Sequence, residues 1–306
     1  MQFNREAKTI MDKKLFGRRD GVYLRKIDPF MRFFPFIMKG RNESVVYFKQ
    51  QIDVTELKAY IGRRNRESAA NRQGAISTLF HAVITAMVKV TIERPQANRF
   101  VIGRRLYQRN DIRFAFVVKR EFKDDAKEEI LIMKFKPDDT LDSISKRIME
   151  DVKRTRQAGK EEEENRHGIL NLFQYIMDTP RIILSGVVSF LSWLDYHGWL
   201  PSIIIDNDPM HTTCFLSNLG SLGIEAPYHH LYEWGTTSAF LTVGVVKKAP
   251  LVMPDGTLAV RDVMNIAVTL DERISDGYYF AQTLKRFTHL LEHPAELELP
   301  SEPIKI

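Results

Sequence analysis

The chain has 306 residues, 44% of them hydrophobic and 10% aromatic, a globular composition that excludes the disordered and collagen-like classes. Its 45 basic and 39 acidic residues leave a formal net charge of +6, a mixed surface rather than a polycationic one, so no nucleic-acid partner is expected. The one cysteine, Cys214, excludes an internal disulfide and a multi-cysteine zinc site, and suits a reducing cytoplasm.

The opening residues MQFNREAKTIMDKKLFGRRDG are charged throughout and lack the apolar core of a signal peptide, so a cytoplasmic location is expected. Short basic clusters lie at Lys13–Arg19, Gly62–Arg72 and Gly103–Arg109. Their ordinary reading is solvated faces, and an anionic small ligand such as a phosphorylated cofactor is equally compatible. The stretch PFMRFFPFIM, Pro29–Met38, would suit the edge of a membrane.

Ser44–Ile52 (SVVYFKQQI) is β-rich and leads into DVTELKAYI, where Asp53 caps a short helix. Gly74–Glu93 carries apolar residues at helical spacing over about five turns and predicts a largely buried helix. His81 on that helix is read as a hydrogen-bonded core residue rather than a ligand. Ile112–Lys119 and Glu129–Phe135 predict paired strands joined by the charged connector Arg120–Lys127. DTLDSISKRIMEDVKRTRQ, with caps at Asp139 or Thr140 and Leu141, Ile144, Ile148 and Val152 on one face, predicts an amphipathic surface helix that ends before Glu161–Glu164.

From Ile169 to Ile205 the pattern is apolar and helical, broken at Pro180, Gly186, Gly198 and Pro201, which predicts two or three packed short helices. The run Ile182–Leu194 reaches about two thirds of the ~20 residues needed to span a bilayer and reads as a buried helix; no transmembrane segment is expected. Strands follow at Thr212–Leu216, Ala239–Val246 and Leu258–Leu270, with a turn at Pro254–Gly256 and a last helix over Tyr278–Glu292. Strands and helices interleave through one α/β domain over residues 1–306, with an N-terminal extension over about 1–40 and a helical insert over about 169–205.

Two motifs carry chemistry. CFLSNLGSLG contains Ser217, Asn218 and Gly220, and TLDERISDG contains Asp271, Glu272, Arg273, Asp276 and Gly277. Together with the hairpin between them they resemble the catalytic domain of the 2-oxo acid dehydrogenase acyltransferases and the related chloramphenicol acetyltransferases, whose motif has the form DHRxxDG or HHxxxDG. The resemblance is strongest over the last third of the chain, moderate over Ser44–Glu93, and absent over Met1–Pro35 and Ile169–Ile205. It implies a two-layer chloramphenicol acetyltransferase-like fold, a mixed β-sheet with flanking helices, assembled as a homotrimer with active sites between subunits. It also implies an acyl group on coenzyme A or a related thioester as substrate. No lipoyl domain is read in this chain, so a stand-alone relative is expected.

In that family a histidine takes the thiol proton of coenzyme A and a serine hydroxyl stabilises the oxyanion. The resemblance places Ser217 as that serine, Ser217, Asn218 and Gly220 at the cofactor, and Arg273 with Asp276 as the pair that fixes the motif loop. Glu272 stands where the histidine would be. A thiol near ~8.5 gives its proton to a carboxylate near ~4.3 about 3 kcal/mol less favourably than to an imidazole near ~6.5. The stretch APYHHLYEWGTT, Ala226–Thr237, offers His229 and His230 as substitutes, with Glu233 or Glu272 to orient one of them. Adjacent residues on a strand face opposite ways, so at most one would point inward. Both capping a surface loop is the plain alternative, and a metal held by His229, His230 and Glu272 a remote one, so no metal is expected. Three functional readings stay open: an acyltransferase, a catalytically inactive scaffold or regulatory protein that keeps the trimer and coenzyme A binding, and a membrane-surface protein.

Overall fold

The computed structural model describes residues 18–71, 75–119, 128–157 and 178–302. The connector Arg120–Lys127, the acidic run Glu161–Glu164, residues 169–177 and the first part of the Lys13–Arg19 cluster lie outside the described residues. Six strands form the main sheet, in the spatial order β2 (Val45–Asp53), β9 (Leu258–Asp271), β8 (Ala239–Val252), β7 (Cys214–Asn218), β5 (Ile112–Lys119) and β6 (Glu128–Phe135). β7 runs parallel to both β5 and β8 and the remaining pairs are antiparallel, so the sheet is mixed.

Alternation along each strand decides which side chains meet the helices. Cys214 and Leu216 join the core beneath α2 (Thr55–Asn71), α3 (Leu79–Glu93), α4 (Leu141–Gln157) and α7 (Gly277–Glu292). Phe215 points the other way, into a smaller cluster with Ala115, Leu231 and Phe240. Ser217, two residues beyond Phe215, therefore lies on the face away from the helices. The helix starts follow their caps: Asp53 accepts from the Thr55 amide at 2.9 Å, and Thr78 from the His81 amide at 3.2 Å. α2 runs on to Asn71, taking in the basic stretch after Gly62. His81 is buried on α3, but its Nδ1 has no hydrogen-bond partner, and burial pushes its pKa down to about 4.

A second, three-stranded sheet has the order β1 (Gly21–Tyr23), β4 (Arg105–Arg109), β3 (Arg99–Ile102). Its hairpin turns at Gly103 and Arg104, with φ of 58° and 56°, the positive values a two-residue turn between right-twisted strands requires. Helix α1 (Pro29–Ile37) follows β1, started by Asp28, whose carboxylate accepts from the Phe30 amide at 2.7 Å. Short strands dense in arginine carry no alternation, so this sheet has no sequence pattern of its own.

The insert differs from its expectation. Among its described residues there are one long helix, α5 (Arg181–His197), and a short one, α6 (Ser202–Asn207). α5 is not buried: Ile182 is 87% exposed and Asp195 is the one buried residue of the helix. An all-round apolar pattern asks for cover but does not state that the same chain supplies it.

Asp195 anchors α5 through a buried ionic cluster. Arg18 donates to Asp195 at 2.6 Å and to Asp20 at 2.8 Å. His211, wholly buried, contacts Asp208 at 2.9 Å and Asp195 at 3.3 Å. Arg109 lies 3.8 Å from Asp20 and over the Phe100 ring at 4.4 Å, and burial pushes it down to about 9. The solvated reading of the basic clusters thus fails for Arg18 and Arg109, both buried against carboxylates, of which Asp195 for Arg18 and Asp20 for Arg109 are distant in sequence. Three carboxylates face two guanidiniums, and a protonated His211 completes the balance. Burial alone would lower the His211 pKa, but Asp195 and Asp208 outweigh it and hold it above the usual imidazole value. A raised folded pKa gives stability that is full below about 6.5 and is lost as pH rises through the folded value. His211→Gln is therefore expected to cost about 1 to 3 kcal/mol at pH 6 and progressively less toward pH 9, measured by denaturant unfolding at each pH.

Candidate active site

β9 ends at Asp271, residues Glu272–Ile274 make one 3₁₀ turn, and α7 begins at Gly277. The Asp271 carboxylate is fully buried. It accepts from the Arg273 amide at 3.1 Å and takes that guanidinium in a two-point grip, Nε at 2.8 Å and Nη2 at 2.7 Å. Arg273 Nη1 reaches the carbonyls of Met38 and Lys39 at 3.1 and 3.2 Å. Arg41 approaches the same carboxylate at 3.8 Å and donates to the carbonyls of Tyr232, Glu233 and Val101. Burial lowers the Arg41 pKa against the pull of Asp271.

The expected Arg273–Asp276 pair does not form. Asp276 is exposed and caps α7, accepting from the Tyr279 amide at 2.8 Å. Asp271 is the N-cap of the 3₁₀ turn, and its carboxylate, folded back onto the Arg273 amide, is held beside the Arg273 guanidinium, while Asp276 lies past the turn at the start of α7.

The segment from Ala226 to Trp234 crosses the end of β9. The Thr269 hydroxyl donates to the His229 carbonyl, and the Tyr228 and Tyr47 rings meet at 5.5 Å. Glu233 spends its two oxygens on the Arg41 and Asn42 amides, at 2.9 and 2.8 Å, so it orients no histidine. His229 is half-buried, with its ring flat on Phe240 at 3.8 Å between centroids. Its Nδ1 lies 2.7 Å from the His230 carbonyl. A carbonyl oxygen only accepts, so Nδ1 carries a proton, and in the neutral ring Nε2 is the nitrogen with the lone pair. His230 is exposed, and its ring stacks on His229 at 4.6 Å. The two rings do not face opposite ways as strand residues would, because the segment is a loop. Among the described residues Glu272 makes no hydrogen bond to either histidine, and no three histidine, cysteine or acidic side chains are arranged to hold an ion.

Ser217 is half-buried on β7, in register with Thr242 of β8. The Thr242 hydroxyl donates to the Pro227 carbonyl at 2.6 Å, so Ser217 and the histidine loop occupy the same side of the sheet. The Asn218 carbonyl accepts from Ser221 at 2.9 Å. Gly220 lies where a Cβ would come within 2.5 Å of the Gly244 carbonyl, against the irregularity in β8 between Val243 and Val246. Close packing alone thus explains a glycine there. Two groups beside the motif were not foreseen: Lys39 and Arg41 line a cavity of about 280 Å³ with Arg273, Arg104 and Glu233. Both come from a stretch without motif or periodicity.

Residues 205–299 match the family model for 2-oxoacid dehydrogenases acyltransferase (catalytic domain). The chain is 25% identical over 247 residues to the lipoamide acyltransferase component of the branched-chain alpha-keto acid dehydrogenase complex of Bacillus subtilis, covering 79% of this chain and 45% of that protein. It therefore spans a little under half the length of this curated relative. Among solved structures it is similar to a probable dihydrolipoamide acetyltransferase from Listeria monocytogenes, with a TM-score of 0.57 at 18% identity over 89% of this chain and 95% of the other. It is equally similar, at 15% identity over 90% and 95%, to the dihydrolipoamide acetyltransferase of Azotobacter vinelandii, studied for a serine, a histidine and an asparagine of its catalytic mechanism. The resemblance read from Ser217–Gly220 and Asp271–Gly277 holds, and the fold is the mixed α/β fold of these acyltransferase cores.

The geometry separates the two aspartates of the motif. Asp271→Ala leaves two buried guanidiniums without their carboxylate and is expected to cost about 3 to 5 kcal/mol. Asp276→Ala removes only a helix cap, about 0.5 to 2 kcal/mol. Denaturant unfolding of both variants checks the order; equal losses would contradict the assignment of Asp271 as the structural partner.

Proposed function

We propose that the chain is an acyltransferase handling an acyl group on coenzyme A or a related thioester, at a site completed between subunits of a homotrimer in the cytoplasm. The observation that carries the reading is the shared sheet face: Ser217 on β7 and the histidine loop, tied through Thr242 and Thr269, lie on one side of β8. Ser217 supplies the hydroxyl that donates to the oxyanion of the thioester carbonyl. His229 is the base, because its Nδ1–H is committed to the His230 carbonyl and Nε2 is left to accept the thiol proton. Glu272 sits at the family's histidine position, beside the ion group of Asp271 and Arg273. It acts as an electrostatic neighbour that stabilises an imidazolium across the site. Asn218 and Gly220 shape the wall that meets the cofactor.

A second reading is an inactive scaffold or regulatory protein that keeps the trimer and coenzyme A binding. The specific observation in its favour is Glu272, which makes no hydrogen bond to His229 or His230 within the chain.

Turnover of a panel of acyl-coenzyme A thioesters tests the proposal. Ser217→Ala is expected to lower turnover about 10- to 1000-fold, and His229→Gln about 100- to 10,000-fold, with melting curves unchanged. Undiminished activity in Ser217→Ala would remove the proposed mechanism, and a parent protein without turnover on the whole panel would select the scaffold.

A further inference from the structure

Two helices of this chain turn their apolar faces outward. α1 is started by Asp28 and Pro29, and Pro35 is its one buried residue; Phe30 (67% exposed), Phe33, Phe36 and Ile37 stand out from the body. The Arg273 guanidinium holds the chain just after it, at Met38 and Lys39, so the exposed side is fixed in orientation. α5 is anchored at its carboxyl end by Asp195, and along it Ile182, Phe190 and Trp193 are exposed. Trp193 also packs edge-on against Trp199, itself 59% exposed, at 5.3 Å.

The two surfaces are neighbours. Tyr196 of α5 lines a cavity of about 470 Å³ with Arg32, Phe33 and Phe36 of α1 and with Arg104 of the β3–β4 turn. The Arg104 guanidinium lies 5.7 Å over the Phe36 ring, and the backbone that presents it has a positive φ, which a non-glycine residue seldom adopts. A Cβ at Gly103 would collide with the Tyr196 carbonyl, so the turn and the end of α5 are in direct contact.

We infer that α1 and α5 form a docking surface for an anionic lipid bilayer, lying in its interface rather than crossing it. Charge selects this occupant. Residues 21–40 hold four cations, Arg25, Lys26, Arg32 and Lys39, against one acid, Asp28. Arg25, Lys26, Arg32, Lys39 and Arg104 are exposed or partly so around the aromatic face, where long basic side chains reach phosphate while rings enter the acyl boundary. Two-fold pairing with a second copy would set that cationic rim against itself. The indoles of Trp193 and Trp199 suit the headgroup level. With 17 residues α5 is about 25 Å long, and among the described residues no helix is long and apolar enough to cross a membrane. The surface adjoins the cavity that Lys39 and Arg104 line with Arg273, but vesicle binding is read without turnover, so the inference is tested independently of the acyl-transfer reading.

Cosedimentation of the full chain with vesicles tests it. Vesicles of phosphatidylcholine and phosphatidylglycerol at 3:1 are expected to carry the protein down, with a blue shift in tryptophan emission, while pure phosphatidylcholine vesicles bind at least about tenfold less. Phe190→Ser with Trp193→Ser, and Phe33→Ser with Phe36→Ser, are each expected to weaken partition at least about tenfold. Arg32→Glu with Arg104→Glu, which leaves the apolar face intact, is expected to do the same for anionic vesicles alone. Circular dichroism and melting establish that each variant is folded, and light scattering gives its mass. A parent protein that stays in the supernatant with anionic vesicles overturns the inference. So does a loss of mass in the Phe190/Trp193 variant without any change in vesicle binding, which would make the patch a contact between copies.

Discussion

The buried carboxylate of Asp271 is the point on which the candidate site depends. It closes β9, faces Val45 at the start of β2, grips Arg273 at two points and draws Arg41 to 3.8 Å. Those two guanidiniums reach onward to the carbonyls of Met38 and Lys39 on one side and of Tyr232 and Glu233 on the other. One anion thereby ties the last strand, the segment after α1 and the histidine loop into a single arrangement. Such a group holds because the two guanidiniums share the Asp271 carboxylate and direct their remaining N–H groups mostly to backbone carbonyls, with Arg41 Nε left without a hydrogen bond; desolvated singly, each charge would be unfavourable by several kcal/mol. Glu272, between Asp271 and Arg273, owes its position to that framework and to no bond of its own.

This explains how the motif keeps its shape without the family's histidine. The structural duties are divided among neighbours: Asp271 and Arg273 hold the turn and Asp276 starts α7, while Glu272 makes no hydrogen bond to His229 or His230. A carboxylate there is a poor proton acceptor for a thiol. An imidazole with a bare Nε2 stands on the same sheet face as Ser217, presented by a loop that Thr269 and Thr242 pin to the strands.

The main sheet was legible because its strands are bounded by turn residues and its helices carry amphipathic stripes. β5 with β6, the long β8–β9 hairpin around Gly256 and α7 fall within a few residues of their expected places. The small sheet was not legible, since Arg99, Arg105 and Arg109 interrupt any alternation in β3 and β4. α5 was read as buried for a sound reason with a wrong premise: its apolar residues do demand cover, but their own chain does not provide it. Within the site, the motif points to Ser217 and the sequence offers the histidine loop only as a source of substitute imidazoles, whereas Arg273 takes Asp271 in place of the expected Asp276. An aspartate immediately before a helix is a capping pattern, and weighing that pattern would have taken Asp276 out of the ion pair. Arg18 has Asp20 two residues on, but its contact with Asp195 and that of Arg109 with Asp20 are tertiary and no local pattern announces them.

The central claim is that this sheet face binds a coenzyme A thioester in the manner of an acyltransferase, whatever residue now takes the proton. Calorimetric titration of the full chain with coenzyme A tests it most directly. The account predicts saturable binding at one site per chain, weakened in a folded variant that fills the Gly220–Gly244 contact. A flat titration for the folded parent protein at millimolar coenzyme A would contradict it.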